Sequence, residues 1–149
     1  MYPNILPTEQ VAGLGGIAPI SQAVGSAVSG WISMASVGAI MAEIKTGVLG
    51  TAATVDAKIQ QATSSAGANA KDITGKAITQ IVKATGDNKT AFINVSGDEL
   101  DVNGGFTYVQ LSITVGAAES LIGGTVLGCK PKNFPASALN NTNVVQVVN

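Results

Sequence analysis

Apolar and polar residues alternate with period two along much of this chain, and that alternation predicts strands. The clearest run is Phe106–Val115, with Val109, Leu111, Ile113 and Val115 on one face and Tyr108, Gln110, Ser112 and Thr114 on the other. Ala53–Ala62 repeats the pattern: Val55, Ala57 and Ile59 share one face, and Asp56, Lys58 and Gln60 the other. In Thr90–Val95 the residues Ala91, Ile93 and Val95 line up together. Val37–Val48, with Ile40, Met41 and Ile44, reads as a largely buried strand ending in Gly47 and Gly50. Lys71–Ile73 and Ala77–Lys83 read as strand pieces broken at Thr74-Gly75, and Leu121–Cys129 as one more strand. The residues Val144–Val148 make a short apolar β-type tail.

Turn chemistry separates these runs: Ser64–Asn69, Gly86-Asp87-Asn88 and the polar loop Ser96–Gly105. Seven or eight short strands at near-regular spacing predict an all-β fold, a jelly-roll-like β-sandwich. A helical reading of Val55–Val82 competes, because Val55, Ile59 and Ala62 also fit helical spacing. Ser64-Ser65, Gly67 and Thr74-Gly75 would interrupt such a helix repeatedly, so strands are preferred. The sandwich is expected over residues 31–130, between an N-terminal arm at 1–30 and a C-terminal arm at 131–149. Pro3, Pro7, Pro19 and the Gly13-Leu14-Gly15-Gly16 cluster favour an extended arm at the start. A short helix across Ile20–Val28 would carry Gly25 in its middle. Residues 131–143 read as irregular.

Composition narrows the chemistry. The 149 residues include no histidine, eight lysines with no arginine, and nine carboxylates. The commonest general acid/base and the commonest phosphate clamp are therefore both missing. A Ser-His-Asp arrangement is impossible, and zinc lacks its usual ligands because Cys129 stands alone. A lone cysteine also rules out an intrachain disulfide, and Cys129 reads as a small buried hydrophobe. The lysines never cluster, so nucleic acid is not an expected partner. No Lys or Arg occurs in the first 44 residues, and no run of about 18 apolar residues appears. A soluble, unprocessed chain without a membrane segment is the expectation. Aromatics make up 4% of the residues, so the core must be built from Val, Ile, Leu, Ala and Met.

Other short patterns carry little. Asp98, Glu99, Asp101 and Asn103 could offer oxygens to calcium, but the closing carboxylate falls on Ser112, so they read as a solvated loop. Gly13-x-Gly15-x-x-Ala18 lacks the preceding strand and following helix of a dinucleotide site. Gly75-Lys76 lacks the upstream glycine of a phosphate loop, and the sequons at Asn88, Asn94 and Asn140 matter only in a secretory pathway. No catalytic, cofactor or metal residue is assigned, and no enzyme activity is expected.

The order Trp31-Ile32-Ser33-Met34, Val55–Ala62, Ala70–Gln80 and Phe106–Gly116 resembles capsid decoration (cement) proteins of tailed bacteriophages. The resemblance covers about Trp31 to Gly128 and departs at Gln110, where such sequences often carry a basic residue. It implies a β-sandwich subunit, made in the bacterial host cytoplasm, that binds the outside of the phage head. Its implied partners are the major capsid protein and further copies of itself, as homodimer or homotrimer. Tyr2, Ile5, Leu6 and Val11 in one arm, and Val144, Val145, Val147 and Val148 in the other, are the candidate intersubunit contacts. The tail could add a strand to a neighbour's sheet edge. The alternative is a neck, head-fibre or tail-associated β-sandwich binding module, with carbohydrate among its candidate ligands; the few scattered aromatics count against the carbohydrate reading.

Overall fold

The computed structural model describes residues 4–149, so Tyr2 lies outside the described residues. Ten antiparallel strands form two packed sheets: β1 Val11–Gln22, β2 Gly25–Val28, β3 Ile32–Ser33, β4 Val37–Thr46, β5 Thr54–Ala62, β6 Lys71–Ala77, β7 Ile81–Val82, β8 Thr90–Ser96, β9 Tyr108–Gly116 and β10 Ser120–Pro131. One sheet has the order β1-β10-β4-β8 and the other β2-β9-β5-β6, with β3 on β9 and β7 on β5. The chain crosses between the sheets after β1, β3, β4, β7, β8 and β9. That winding is a jelly roll, as the strand spacing predicts. Among the described residues helix is confined to the four-residue turns α1 Pro7–Gln10 and α2 Lys83–Gly86 and to 3-10 turns at Gly97–Glu99 and Ala136–Leu139, and none is long enough to cross a membrane.

Period-two patterning decides the core. Val55, Ala57 and Ile59 of β5 and Val109, Leu111, Ile113 and Val115 of β9 are all buried, and nine successive pairs from Thr54↔Gly116 to Ala62↔Tyr108 lock the two strands in register. Ile40, Ala42 and Ile44 of β4, Ile93 and Val95 of β8, and Ile122 and Val126 of β10 oppose them from the other sheet. Each Val, Leu or Ile among them stabilises the fold by roughly 1.5–3 kcal/mol on burial. Phe106 is the one aromatic that is buried among the described residues, beneath the Lys71 ammonium at 4.2 Å.

Several expectations need correction. Residues 11–28 are no arm: β1 pairs with β10 and β2 with β9, so the N-terminal segment contributes a strand to each sheet. Proline and glycine misled because β1 is an edge strand whose pairing shifts between Gly13 and Gly15 and between Ile17 and Ile20. Bulges at an edge accommodate a residue without an N–H, so Pro19 costs no ladder bond there. The helix considered over Ile20–Val28 is absent for the same reason, and Val55–Val82 forms β5 to β7. The break expected at Thr74-Gly75 does not occur, because Gly75 at φ 77° carries the bend inside β6. Val144–Val148 forms no strand. Cys129 is half-buried on an outer face, and burial pushes its thiol pKa up.

Candidate interaction surface

The two outward faces of the sandwich are chemically unlike. On the six-stranded sheet, Ser26 and Thr114 hydroxyls meet at 2.7 Å, Lys58 pairs with Asp72 at 2.9 Å, and Gln60 donates to the same carboxylate at 2.9 Å. Gln80 donates to Asp56 at 2.9 Å. That face is mainly a lattice of short polar contacts satisfied within the subunit, with Val28 exposed at its β2 margin.

The four-stranded sheet presents the opposite. Its register sets Val11, Cys129, Ala39 and Ser96 in one outward row and Gly13, Leu127, Met41 and Asn94 in the next. Thr125, Glu43 and Phe92 follow, with Leu121 at the far end, while Ile20, the register partner of the buried Ile122, is exposed at the margin beside it. Phe92 is 56% exposed, Leu121 45% and Ile20 39%. The one ion pair on this face among the described residues is Glu43–Lys45 at 2.9 Å. Contiguous apolar surface of this kind is uncommon on an isolated soluble subunit.

Relief on this face comes from three adjoining grooves that share Thr125. One of about 450 Å³ lies between Pro19, Ile20, Leu121 and the Glu43–Lys45 pair. A second, about 480 Å³, is walled by Pro7, Val11, Leu127 and the C-terminal residues Val144, Val147 and Val148. A third, about 420 Å³, runs between Gly13–Pro19 and Asn141–Val144. The C-terminal segment is anchored at the edge of β1, where the Gly13 N–H donates to Asn140 Oδ1 and the Asn141 N–H donates to the Gly13 carbonyl, each at 2.8 Å.

The structure therefore brings part of the expected contact set together. Val11, Val144, Val147 and Val148 converge on one groove, whereas Val145 stands 94% exposed outside its lining. Ile5 and Leu6 precede α1, with Leu6 exposed and the Ile5 carbonyl accepting from Gln10 Nε2 at 3.4 Å. Sequence reasoning missed the larger part of the surface: Ile20, Met41, Phe92, Leu121 and Leu127. A signal existed. β4 is apolar at successive positions, Ala39-Ile40-Met41-Ala42, which reads as burial on both faces although only one face is covered by the partner sheet.

Charged groups cluster elsewhere and serve the loops. The Glu99 carboxylate meets Lys76 at 2.8 Å and accepts the Ser96 N–H at 2.8 Å; Asp101 meets Lys71 at 2.7 Å and accepts the Gly104 N–H at 2.9 Å. Asp87 joins Lys83 at 2.7 Å and accepts the Leu49 N–H at 2.9 Å, tying the β4–β5 turn to α2. These partners, the lysine first in each case, hold all three carboxyls below the usual range, as Lys58 and then Gln60 do for Asp72. The stabilisation is complete above the ordinary carboxylate pKa of about 4 and is lost as pH falls through the lowered values. With no histidine to titrate, the urea midpoint should stay level between about pH 5 and 8 and decline below about pH 4. A midpoint unchanged down to about pH 2 would contradict this.

No protein-family model and no curated protein matches this sequence. Solved structures do resemble it in shape. A chain in the structure of Triatoma virus is 6% identical, with 92% of this chain and 74% of that one covered, at a TM-score of 0.49. A chain of the naturally occurring empty particles of cowpea mosaic virus is 11% identical over 87% and 88% of the two chains, at 0.42. The CBM22-1–GH10 modules of Clostridium thermocellum xylanase 10B are 12% identical over 86% and 28%, at 0.41.

Proposed function

We propose that this chain is a virion structural protein of the decoration type, which docks on the outside of a tailed-phage head and stabilises the lattice of the major capsid protein. The observation that carries the reading is the asymmetry between the two outer faces. The six-stranded sheet satisfies its polar groups internally, and the four-stranded sheet offers an apolar surface continued by the C-terminal residues. A subunit of this kind works by adding buried interface across seams that internal pressure would open. Because it binds only the assembled shell, it raises the shell's stability by mass action. Repetition over the lattice makes contacts of ordinary size, on the order of 1,600 Å², strong in sum. The strand order quoted above as resembling decoration proteins supports the same reading. No bond is made or broken, and the lack of histidine and arginine costs such a protein nothing.

The test is co-sedimentation of the purified chain with intact heads, read as stoichiometry. Binding should saturate at a copy number that scales with the lattice; saturation at one or a few vertices would instead indicate a neck or fibre-base component. Removal of residues 145–149 strips Val147 and Val148 from the second groove and leaves the Asn140 and Asn141 anchors in place. That truncation should weaken head binding by about tenfold while leaving the urea midpoint within about 0.5 kcal/mol of the full chain. Undiminished binding would remove the tail from the contact surface.

A further inference from the structure

A β-sandwich has open sheet edges, and each is a template for pairing unless it is blocked. Three of the four here are blocked. β1 carries Pro19 and two register shifts, and Asn140 and Asn141 occupy the Gly13 backbone. On the other sheet, β2 and β3 are only four and two residues long. At its opposite margin β6 carries Lys71, Asp72 and Lys76, has Gly75 at φ 77°, and slips register against β5 between Lys58 and Gln60.

β8 has none of these protections. Thr90-Ala91-Phe92-Ile93-Asn94-Val95-Ser96 contains no charge, proline or glycine and pairs with β4 through seven successive positions without a shift. Among the described residues no backbone bond reaches its far side, and only Ser96 is capped, by Glu99. A groove of about 280 Å³ bounded by Gly75–Ile78 leaves space beside Phe92, Ile93 and Asn94.

The ends of this strand carry opposite charges. Lys89 precedes it and Asp98 follows it, both exposed, and neither belongs to an ion pair among the described residues. The backbone at both ends is held. The Lys89 N–H donates to Thr46 Oγ1 at 3.0 Å and its carbonyl accepts the Thr46 N–H at 2.9 Å; Asp98 sits in the capped Gly97–Glu99 turn. Eight residues of mostly extended chain, 90–97, separate the two, about 25–30 Å, so they cannot meet within one subunit.

We infer that β8 is a self-association edge, on which a second copy of this chain pairs antiparallel about a two-fold axis. Side chains of paired residues must share a face, so the axis falls on a residue facing its own copy. With Ile93 on the axis, Phe92 lies opposite Asn94 of the second copy and Thr90 opposite Ser96. Lys89 then lies beside Gly97 and Asp98, and the same charge contact occurs twice. Two four-stranded sheets become one of eight strands, and the apolar outer face runs on across the dimer. This edge pairing is independent of what that face binds, so head binding and self-association are read separately.

Sedimentation equilibrium of the full chain tests it. The chain should form a dimer that weakens as salt rises. Lys89→Glu should weaken dimerisation about tenfold or more, and Lys89→Glu combined with Asp98→Lys should restore it, with unchanged circular dichroism throughout. If Lys89→Glu fails to fold, Asp98→Lys alone carries the same expectation of weakening. A wild-type chain that remains monomeric at about 1 mM overturns the inference. So does a dimer indifferent to the single charge reversals, or one that the double reversal does not restore.

Discussion

Leu111→Ala should destabilise the chain by about 2–5 kcal/mol, a large share of the stability of a domain this size. Leu111 is fully buried at the centre of β9, between Val109 and Ile113, and a Cδ methyl passes over Gly124 of the opposite sheet. A Cβ added at Gly124 would come within 2.8 Å of that methyl and 3.4 Å of Ile113 Cδ1. Gly124→Ala alone should therefore overpack the core and cost about 1–3 kcal/mol. In the double variant the new methyl enters space that the leucine has vacated, and the combined loss should fall short of the sum of the two by about 1 kcal/mol or more. Urea denaturation of the four proteins in the cycle reads the coupling directly. Strict additivity would mean that the two sheets do not touch at this point.

The second large effect concerns the outer face of the four-stranded sheet. Leu121→Lys with Leu127→Lys places two cations among the grooves that meet at Thr125. If this face seats on the shell, each lysine must be desolvated or held away from its partner, and association should weaken by at least about 2 kcal/mol, roughly thirtyfold. The isolated subunit should change by only about 1 kcal/mol, because an outward lysine can lay its stem on the sheet and leave its ammonium in water. Head co-sedimentation and urea midpoints separate the two quantities. Normal binding by a folded double variant would move the contact to another surface. Neither substitution touches Lys89 or Asp98, so self-association should persist in this variant.

How far the fold could be read from the residues differs from strand to strand. β5, β8 and β9 were legible to within two residues, because each alternates cleanly and one buried face enforces the register. β1 was hidden. Its proline and glycines carry the signals of a flexible arm, and only the partner strand β10 reveals that the same residues form bulges at a sheet edge. β6 was read as two pieces, since Gly75 looks like a terminator until the bend it makes is seen inside the strand. Of the contact surface, the four C-terminal valines were proposed from their hydrophobicity, yet their company was not foreseeable. Val144, Val147 and Val148 meet Val11 only because Asn140 and Asn141 fasten the chain to Gly13.

Local sequence was enough to establish an all-β sandwich with an aliphatic core and little of the usual catalytic or phosphate-binding equipment. Those properties follow from side-chain periodicity and residue type, which are one-dimensional. The chain order could not say which of two apolar faces on β4 and β10 is covered, or which sheet edge is left open. Both depend on contacts between residues far apart along the chain, such as Leu127 with Met41 and Gly13 with Asn140, and distance along a polypeptide does not encode them. Folding alone separated the polar outer sheet from the apolar one and left one edge of β8 unpaired.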